Sequence, residues 1–106
     1  MSARTVNICQ YKVKQGKEAE MEALLEKHWP ALREAGLVDD TPPVIYKGEP
    51  SKDHGAERMY IEIFAWKDEN GAQLAHQMPG VMAVWEPMGA ICEQMDFPSY
   101  APLELF

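Results

Sequence analysis

Glu62 stands between Tyr60 and Phe64 in the run Met59-Tyr60-Ile61-Glu62-Ile63-Phe64-Ala65-Trp66. In an extended chain alternate side chains share a face, so this carboxylate shares its face with Tyr60, Phe64 and Trp66. A carboxyl group among apolar neighbours resists ionisation, and its pKa rises unless a cation or a hydrogen bond compensates the charge. Such a group suits general acid–base work near neutrality. The competing reading is a structural carboxylate paired with Arg58, Lys47 or a backbone group at a subunit seam, because an uncompensated buried charge is costly.

His76 is the second candidate, since an imidazole can deprotonate a phenolic or enolic substrate near neutral pH. Its position argues for the surface. Ala75, Met78 and Met82 define an apolar side, and at about 100° per residue His76 stands roughly 160° from Met78, so only the break at Pro79 brings it inward. His28 lies on the apolar stripe of the first helical pattern and either faces a cavity between helix and sheet or is a hydrogen-bonded core histidine. Trp29, Phe64, Trp66, Trp85 and the seven methionines offer walls for a planar ligand, and equally the material of an ordinary core. Asn7, Gln10 and Tyr11 add polar groups that orient a ligand or hydrogen-bond at a strand edge or interface.

Metal chemistry has no spacing to support it. His28, His54 and His76 fall on three different elements, without an H-x-x-x-H or H-x-H pattern, so no metal is expected. A glycine-rich phosphate loop, a serine-nucleophile motif and a flavin fingerprint are likewise absent, and no cofactor is expected. Cys9 and Cys92 are the only cysteines and belong to no C-x-x-C pair, so both read as reduced, buried thiols.

The elements that must position these groups follow from periodicity. Thr5 to Lys14 has strand chemistry with both faces partly covered. After the turn Gln15-Gly16-Lys17, Met21, Leu24, Leu25, His28, Leu32 and Ala35 recur at helical steps, with acidic residues opposite. Gly36 suits a left-handed cap that ends this helix, and Pro30 predicts a kink or a lost turn near Trp29 that opens space beside His28. The prolines 42 and 43 limit a short second strand, Val44 to Gly48, placed at a sheet edge. A connection over Glu49 to Glu57 leads into the third strand, Arg58 to Lys67. The second helix begins near Asp68 to Asn70, where Asn70 can cap and Gln73 is in capping-box position. Pro79 and Gly80 interrupt it, a further stretch runs from Val81 to Cys92 with a bend at Pro87, and Glu93 to Phe97 forms a fourth strand. The order is β-α-β-β-α-β, an α+β arrangement with a four-stranded antiparallel sheet.

The third strand is apolar on both sides, and helices can cover only one of them. Contiguous apolar surface of that kind marks a partner's footprint, so the strand predicts a homodimer. The apolar tail, Pro98 to Phe106, is expected to lie against the partner subunit.

At 106 residues and a net charge of −7, the chain fits one domain spanning residues 1–106 and carries no basic stripe for nucleic acid. No apolar run approaches the roughly 20 residues of a membrane span, and the N-terminus lacks a secretory signal, which together predict a cytoplasmic protein that binds neither nucleic acid nor membrane.

The first strand running into Lys14-Gln15-Gly16-Lys17, the run Tyr60-Ile61-Glu62-Ile63-Phe64, the pair Ala75-His76, and Pro79 with Val81 resemble the antibiotic biosynthesis monooxygenase family of dimeric α/β barrels. The resemblance covers most of the chain and implies a ferredoxin-like fold that pairs into a dimeric α/β barrel. It departs at Gln15, where the family often has proline, and in the long loop before the third strand. The haem-degrading branch implies an Asn on the first strand, which Asn7 matches, and a Trp followed by a His. Here His76 precedes Trp85, against haem degradation. The resemblance implies a cofactor-free monooxygenase acting on a small aromatic or enolic, quinol-like molecule. His76 and Glu62 would manage protons, His28 and Asn7 would orient the substrate, and Phe64, Trp66 and Trp85 would form walls. A non-enzymatic homodimer that binds a hydrophobic metabolite or partner, and an isomerase or decarboxylase on the same scaffold, are the alternatives.

Overall fold

A computed structural model describes residues 5–50 and 56–105, so His54 lies outside the described residues. β1 (Val6–Val13) alternates half-buried and buried positions along its whole length. It occupies the middle of the sheet because three other strands pair with it. β2 (Val44–Lys47) is the edge that Pro42 and Pro43 predict, and it pairs with β3 (Met59–Phe64). β3 pairs with β1 along its length, Cys9 opposite Glu62 and Tyr11 opposite Tyr60. β4 (Cys92–Asp96) lies on the other side of β1, and all pairings are antiparallel.

The sheet has five strands rather than four. β5 (Ser99–Tyr100) pairs with Val6 and Asn7 at the start of β1, whereas β4 pairs with Gln10 to Val13 at its end. Phe97-Pro98 separates the two because proline has no N–H for the ladder. Its carbonyl still accepts the Ile8 N–H at 2.9 Å, which carries the chain into β5. Part of the apolar tail is therefore taken up by its own sheet.

α1 (Glu18–Glu34) runs unbroken through Pro30, so no turn is lost there. Proline forfeits the bond to the Glu26 carbonyl, and its exposed position leaves that carbonyl open to water. The helix ends in a Schellman motif: the Leu37 N–H reaches the Leu32 carbonyl and the Gly36 N–H the Arg33 carbonyl, both at 3.0 Å. Gly36 has φ +76°, the left-handed conformation this closure requires.

Several element ends differ from the sequence reading. Arg58 ends a 3-10 turn (Ala56–Arg58) and is not part of β3, which stops at Phe64. α2 (Gly71–Ala75) starts after Asn70, but the Asn70 side chain makes no capping bond. Pro79 does not interrupt a helix. It opens α3 (Pro79–Ile91) at a position where its missing N–H is not needed. α3 passes through Pro87 without a break.

α1 and α3 pack on each other over the face of the sheet that presents Cys9, Tyr11, Val13, Tyr60, Glu62 and Phe64, all buried. The opposite face is apolar and open. Met59, Ile61, Val44, Tyr46 and Tyr100 project from it, with exposures of 37% to 59%.

Gly71 lies against Trp66, and a Cβ there would approach the indole Cε3 to 2.6 Å. Gly71→Ala is expected to displace Trp66 and to lower stability by about 1–3 kcal/mol, as overpacked substitutions do, measured by urea unfolding with tryptophan fluorescence as the signal.

Candidate active site

Glu62 is fully buried on β3. Neither Arg58 nor Lys47 compensates it. Arg58 bonds the Val13 carbonyl and Glu93, both at 3.1 Å, and Lys47 bonds Glu22 at 2.7 Å. The partners of Glu62 come instead from β1 and α1. Tyr11 donates its hydroxyl to Oε1 at 2.9 Å, and His28 Nδ1 lies 2.8 Å from Oε1 and 3.0 Å from Oε2.

The other ring nitrogen fixes the tautomer. Trp85 Nε1 lies 2.8 Å from His28 Nε2, and an indole N–H can only donate. His28 Nε2 is therefore an acceptor, the ring is neutral with its hydrogen on Nδ1, and that hydrogen points at the carboxylate. The chain Trp85, His28, Glu62, Tyr11 links α3, α1, β3 and β1 with Glu62 as the terminal acceptor of both sides. His28 is thus a hydrogen-bonded core histidine that also borders a cavity.

That cavity has a volume of about 490 Å³ and lies between the helix-covered face of the sheet and α2 and α3. Tyr11, His28, Phe64 and Trp66 line it along with Asn7, and Trp85 and His76 close the side nearer α3. Phe64 and Trp66 meet edge to face with centroids 4.9 Å apart, a favoured arrangement of ring quadrupoles. Glu62 does not line the cavity and sits behind it. Trp29 does not line it either. Its ring faces the Arg33 guanidinium 5.4 Å away and packs, half-buried, against the core.

His76 is exposed and follows α2 at its cap. Its Nδ1 donates to the Ala72 carbonyl at 2.8 Å, and because a carbonyl only accepts, the neutral ring keeps its lone pair on Nε2. Trp85 packs edge to face on this ring, centroids 5.0 Å apart. His76 is exposed, as its place on the helical pattern predicts, and it borders the cavity as well because α2 ends at Ala75 and the helical angle is not carried on to Met78.

The methionines read as possible walls include Met82, Met88 and Met95, which line the cavity, while Ser99, Phe97 and Cys9 line it without being singled out for it in the sequence. Of these three, Cys9 has a signal, the period-2 alternation between Asn7 and Tyr11. Among the described residues no cluster of histidine, cysteine and acidic side chains has the spacing to hold a metal ion. No helix among the described residues is long and apolar enough to cross a membrane.

Burial, reinforced by the charge of Glu62, pushes the Cys9 thiol up to about 12. The same two causes, burial first, push the Tyr11 phenol far above its ordinary value. Both groups therefore stay protonated in the fold at pH values where they ionise in the unfolded chain, so they contribute stability below the unfolded values that is lost as pH rises. Urea unfolding midpoints are expected to fall from about pH 8.5, near the ordinary cysteine value, towards pH 12. Cys9 is also expected to resist alkylation at pH 8 in the native protein and to react on unfolding, since the thiolate is the nucleophile.

No family model matches the chain, and the search of curated proteins finds no match. Solved structures do match. A point mutant of SnoaB, a cofactor-independent oxygenase from Streptomyces nogalater, superposes with TM-score 0.70 at 15% identity, covering 97% of each chain. An antibiotic biosynthesis monooxygenase matches with TM-score 0.70 at 14% identity over 95% of this chain and all of the other. At3g17210 from Arabidopsis thaliana matches with TM-score 0.73 at 10% identity, covering 97% and 99%. Identities this low speak for the fold, and the chain has the ferredoxin-like α+β fold of the antibiotic biosynthesis monooxygenase-like proteins.

Proposed function

We propose that the protein is a cofactor-independent oxygenase that acts, as a cytoplasmic homodimer, on a small aromatic or enolic, quinol-like molecule held in the cavity. The observation that carries this reading is the pairing of an aromatic-walled cavity with a histidine at its mouth whose unprotonated Nε2 is left for a substrate. The structural neighbour SnoaB, a cofactor-independent oxygenase, supports the reaction class.

The chemistry follows from the positions of the groups. His76 Nε2 takes the proton of a phenol or enol, and its Nδ1–H is held on the Ala72 carbonyl, which fixes the tautomer that can do so. The resulting anion is electron-rich enough to pass electrons to dioxygen. One oxygen atom enters the ring as a carbonyl, and the other leaves as water with the hydrogens lost from the substrate, so dioxygen alone balances the reaction. Asn7 and Tyr11 border the inner part of the cavity, and Phe64, Trp66 and Trp85 hold the ring plane.

Glu62 acts as a positioning residue, because it reaches the cavity only through His28. It fixes the His28 hydrogen on Nδ1, which leaves Nε2 as acceptor, and that acceptor holds the Trp85 indole in the wall beside His76. One observation favours a second reading, a homodimer that binds a hydrophobic metabolite without turning it over: every polar atom of His28 and Glu62 already has a partner inside the protein.

The dimer reading rests on the open apolar face of the sheet, where Met59, Ile61, Val44 and Tyr46 are all exposed, apolar surface of the kind that marks a partner's footprint. The two free, buried thiols, Cys9 and Cys92, suit a reducing compartment.

With a quinol-like substrate, dioxygen uptake is expected, and His76→Ala is expected to lower kcat by about 10²–10⁴-fold. Glu62→Gln should lower it less, on the order of tenfold, by loosening Trp85. Unchanged turnover in both variants removes these assignments, and a ligand that raises the unfolding temperature without being consumed selects the binding reading. In sedimentation equilibrium the unaltered chain is expected as a dimer at micromolar concentration and Ile61→Glu as a monomer. A monomeric unaltered chain refutes the dimer.

A further inference from the structure

The cavity has a distinct charge character. Glu69 and Glu86 line it where it opens to solvent, both exposed, and Glu62 lies behind the wall that Tyr11 and His28 make. No lysine or arginine is among its described lining residues. At the inner end Asn7, only 8% exposed, accepts the Ser99 hydroxyl on Oδ1 at 2.6 Å. Its carboxamide NH₂ has no bond of its own among the described residues. Trp29 Nε1 is, among those residues, the one fully enclosed side-chain nitrogen or oxygen without a partner, so the Asn7 NH₂ is not sealed in protein. It opens on the cavity that Asn7 lines.

We infer, resting on the reading of this cavity as a substrate site, that it takes an aromatic ring system of one charge class. The ring presents a carbonyl or phenolic oxygen to the Asn7 NH₂ and carries either no charge or an ammonium group towards the mouth. Rings bearing carboxylate or phosphate are rejected. An anion entering the cavity loses hydration and meets no cation to replace it. It also approaches two carboxylates at the mouth and a third behind the wall, in a chain whose net charge is −7. An ammonium group is drawn by those carboxylates and by aromatic faces such as Trp66 and Trp85. A neutral ring with one oxygen satisfies the Asn7 donor, which a plain hydrocarbon leaves unmet.

The test uses the full chain at pH 8, above the ordinary imidazole range, and isothermal titration with four probes of one ring size. These are naphthalene, 2-naphthol, 6-(aminomethyl)-2-naphthol and 6-hydroxy-2-naphthoate. The expected order places the aminomethyl compound and 2-naphthol at least tenfold tighter than the carboxylate. The double substitution Glu69→Gln with Glu86→Gln is expected to shrink the ratio of ammonium to carboxylate affinity to within about threefold. Asn7→Leu is expected to abolish the preference for 2-naphthol over naphthalene while naphthalene still binds, which also shows that the variant is folded. The inference is overturned if the carboxylate binds within threefold of the ammonium probe, if the double substitution leaves the ratio unchanged, or if none of the four binds. Its failure is separable from that of the oxygenase reading. The expected order without any oxygen uptake removes the oxygenase and leaves the ligand class, whereas uptake on a carboxylated quinol with a KM below that of its neutral parent does the reverse.

Discussion

A carboxylate with no exposure to solvent, in the middle of a sheet, is the constraint from which most of this structure follows. Glu62 can be buried only because donors from two other elements reach it, Tyr11 from β1 and His28 from α1. Removing either donor would leave an under-compensated charge, a loss of several kcal/mol in comparable buried pairs. The group therefore ties the helix layer to the sheet at a defined point, and through His28 it also fixes Trp85 on α3. Apolar residues of the same volume would hold the layers together as well or better. What they would not do is set the tautomer of a histidine and the orientation of an indole on a cavity wall.

The network also decides which groups are left for chemistry. Tyr11 and His28 border the cavity, yet their polar atoms are already engaged by Glu62 and Trp85. The engagement of Tyr11 by a carboxylate, on top of burial, keeps its phenol protonated far above the ordinary range. What remains toward a ligand is a short set: the Nε2 of His76 at the mouth, the Asn7 carboxamide at the inner end, and aromatic surface between. An acid–base group at one end and a donor at the other, across an aromatic slot, is an arrangement that orients a planar molecule in one direction.

Much of this was legible in the residues, and the illegible parts have identifiable causes. The alternation of Met59 to Trp66 puts Glu62 on one face with Tyr60 and Phe64 without saying which face the helices cover, and the helical stripe puts His28 inward. Their meeting could not be read, because the two residues are separated by 34 positions and each had a local explanation of its own. His76 is on the surface, as its helical angle predicts, but its place on the cavity rim could not be read, because the segment stops being helical at Ala75. Pro79 reads in the sequence as a break, although proline at the first position of a helix is a start, which is where α3 has it. Ser99 and Phe97 enter the cavity wall because the chain keeps its antiparallel register along β1 past Pro98, from Asp96 opposite Gln10 to Tyr100 opposite Val6, and a proline-interrupted apolar tail gives no sign that pairing will resume.

The open face of the sheet bears on a different problem, which is register. Strand register is normally set by the contrast between an apolar and a polar face, since a slip by one residue exchanges them. In β3 that contrast is weak: Met59, Ile61 and Ile63 on one side are nearly as apolar as Tyr60 and Phe64 on the other. A one-residue slip would cost little in hydrophobic terms, but it would carry Glu62 away from Tyr11 and His28 to the open face. It would also strand both donors in the core, each at a penalty of about 1–3 kcal/mol. The buried carboxylate thus supplies the discrimination that the hydrophobic pattern lacks, and it leaves the open face free to be apolar enough to receive another surface. The polar network behind the cavity and the greasy face on the far side of the sheet are in this sense one device, because the first makes the second compatible with a single fold.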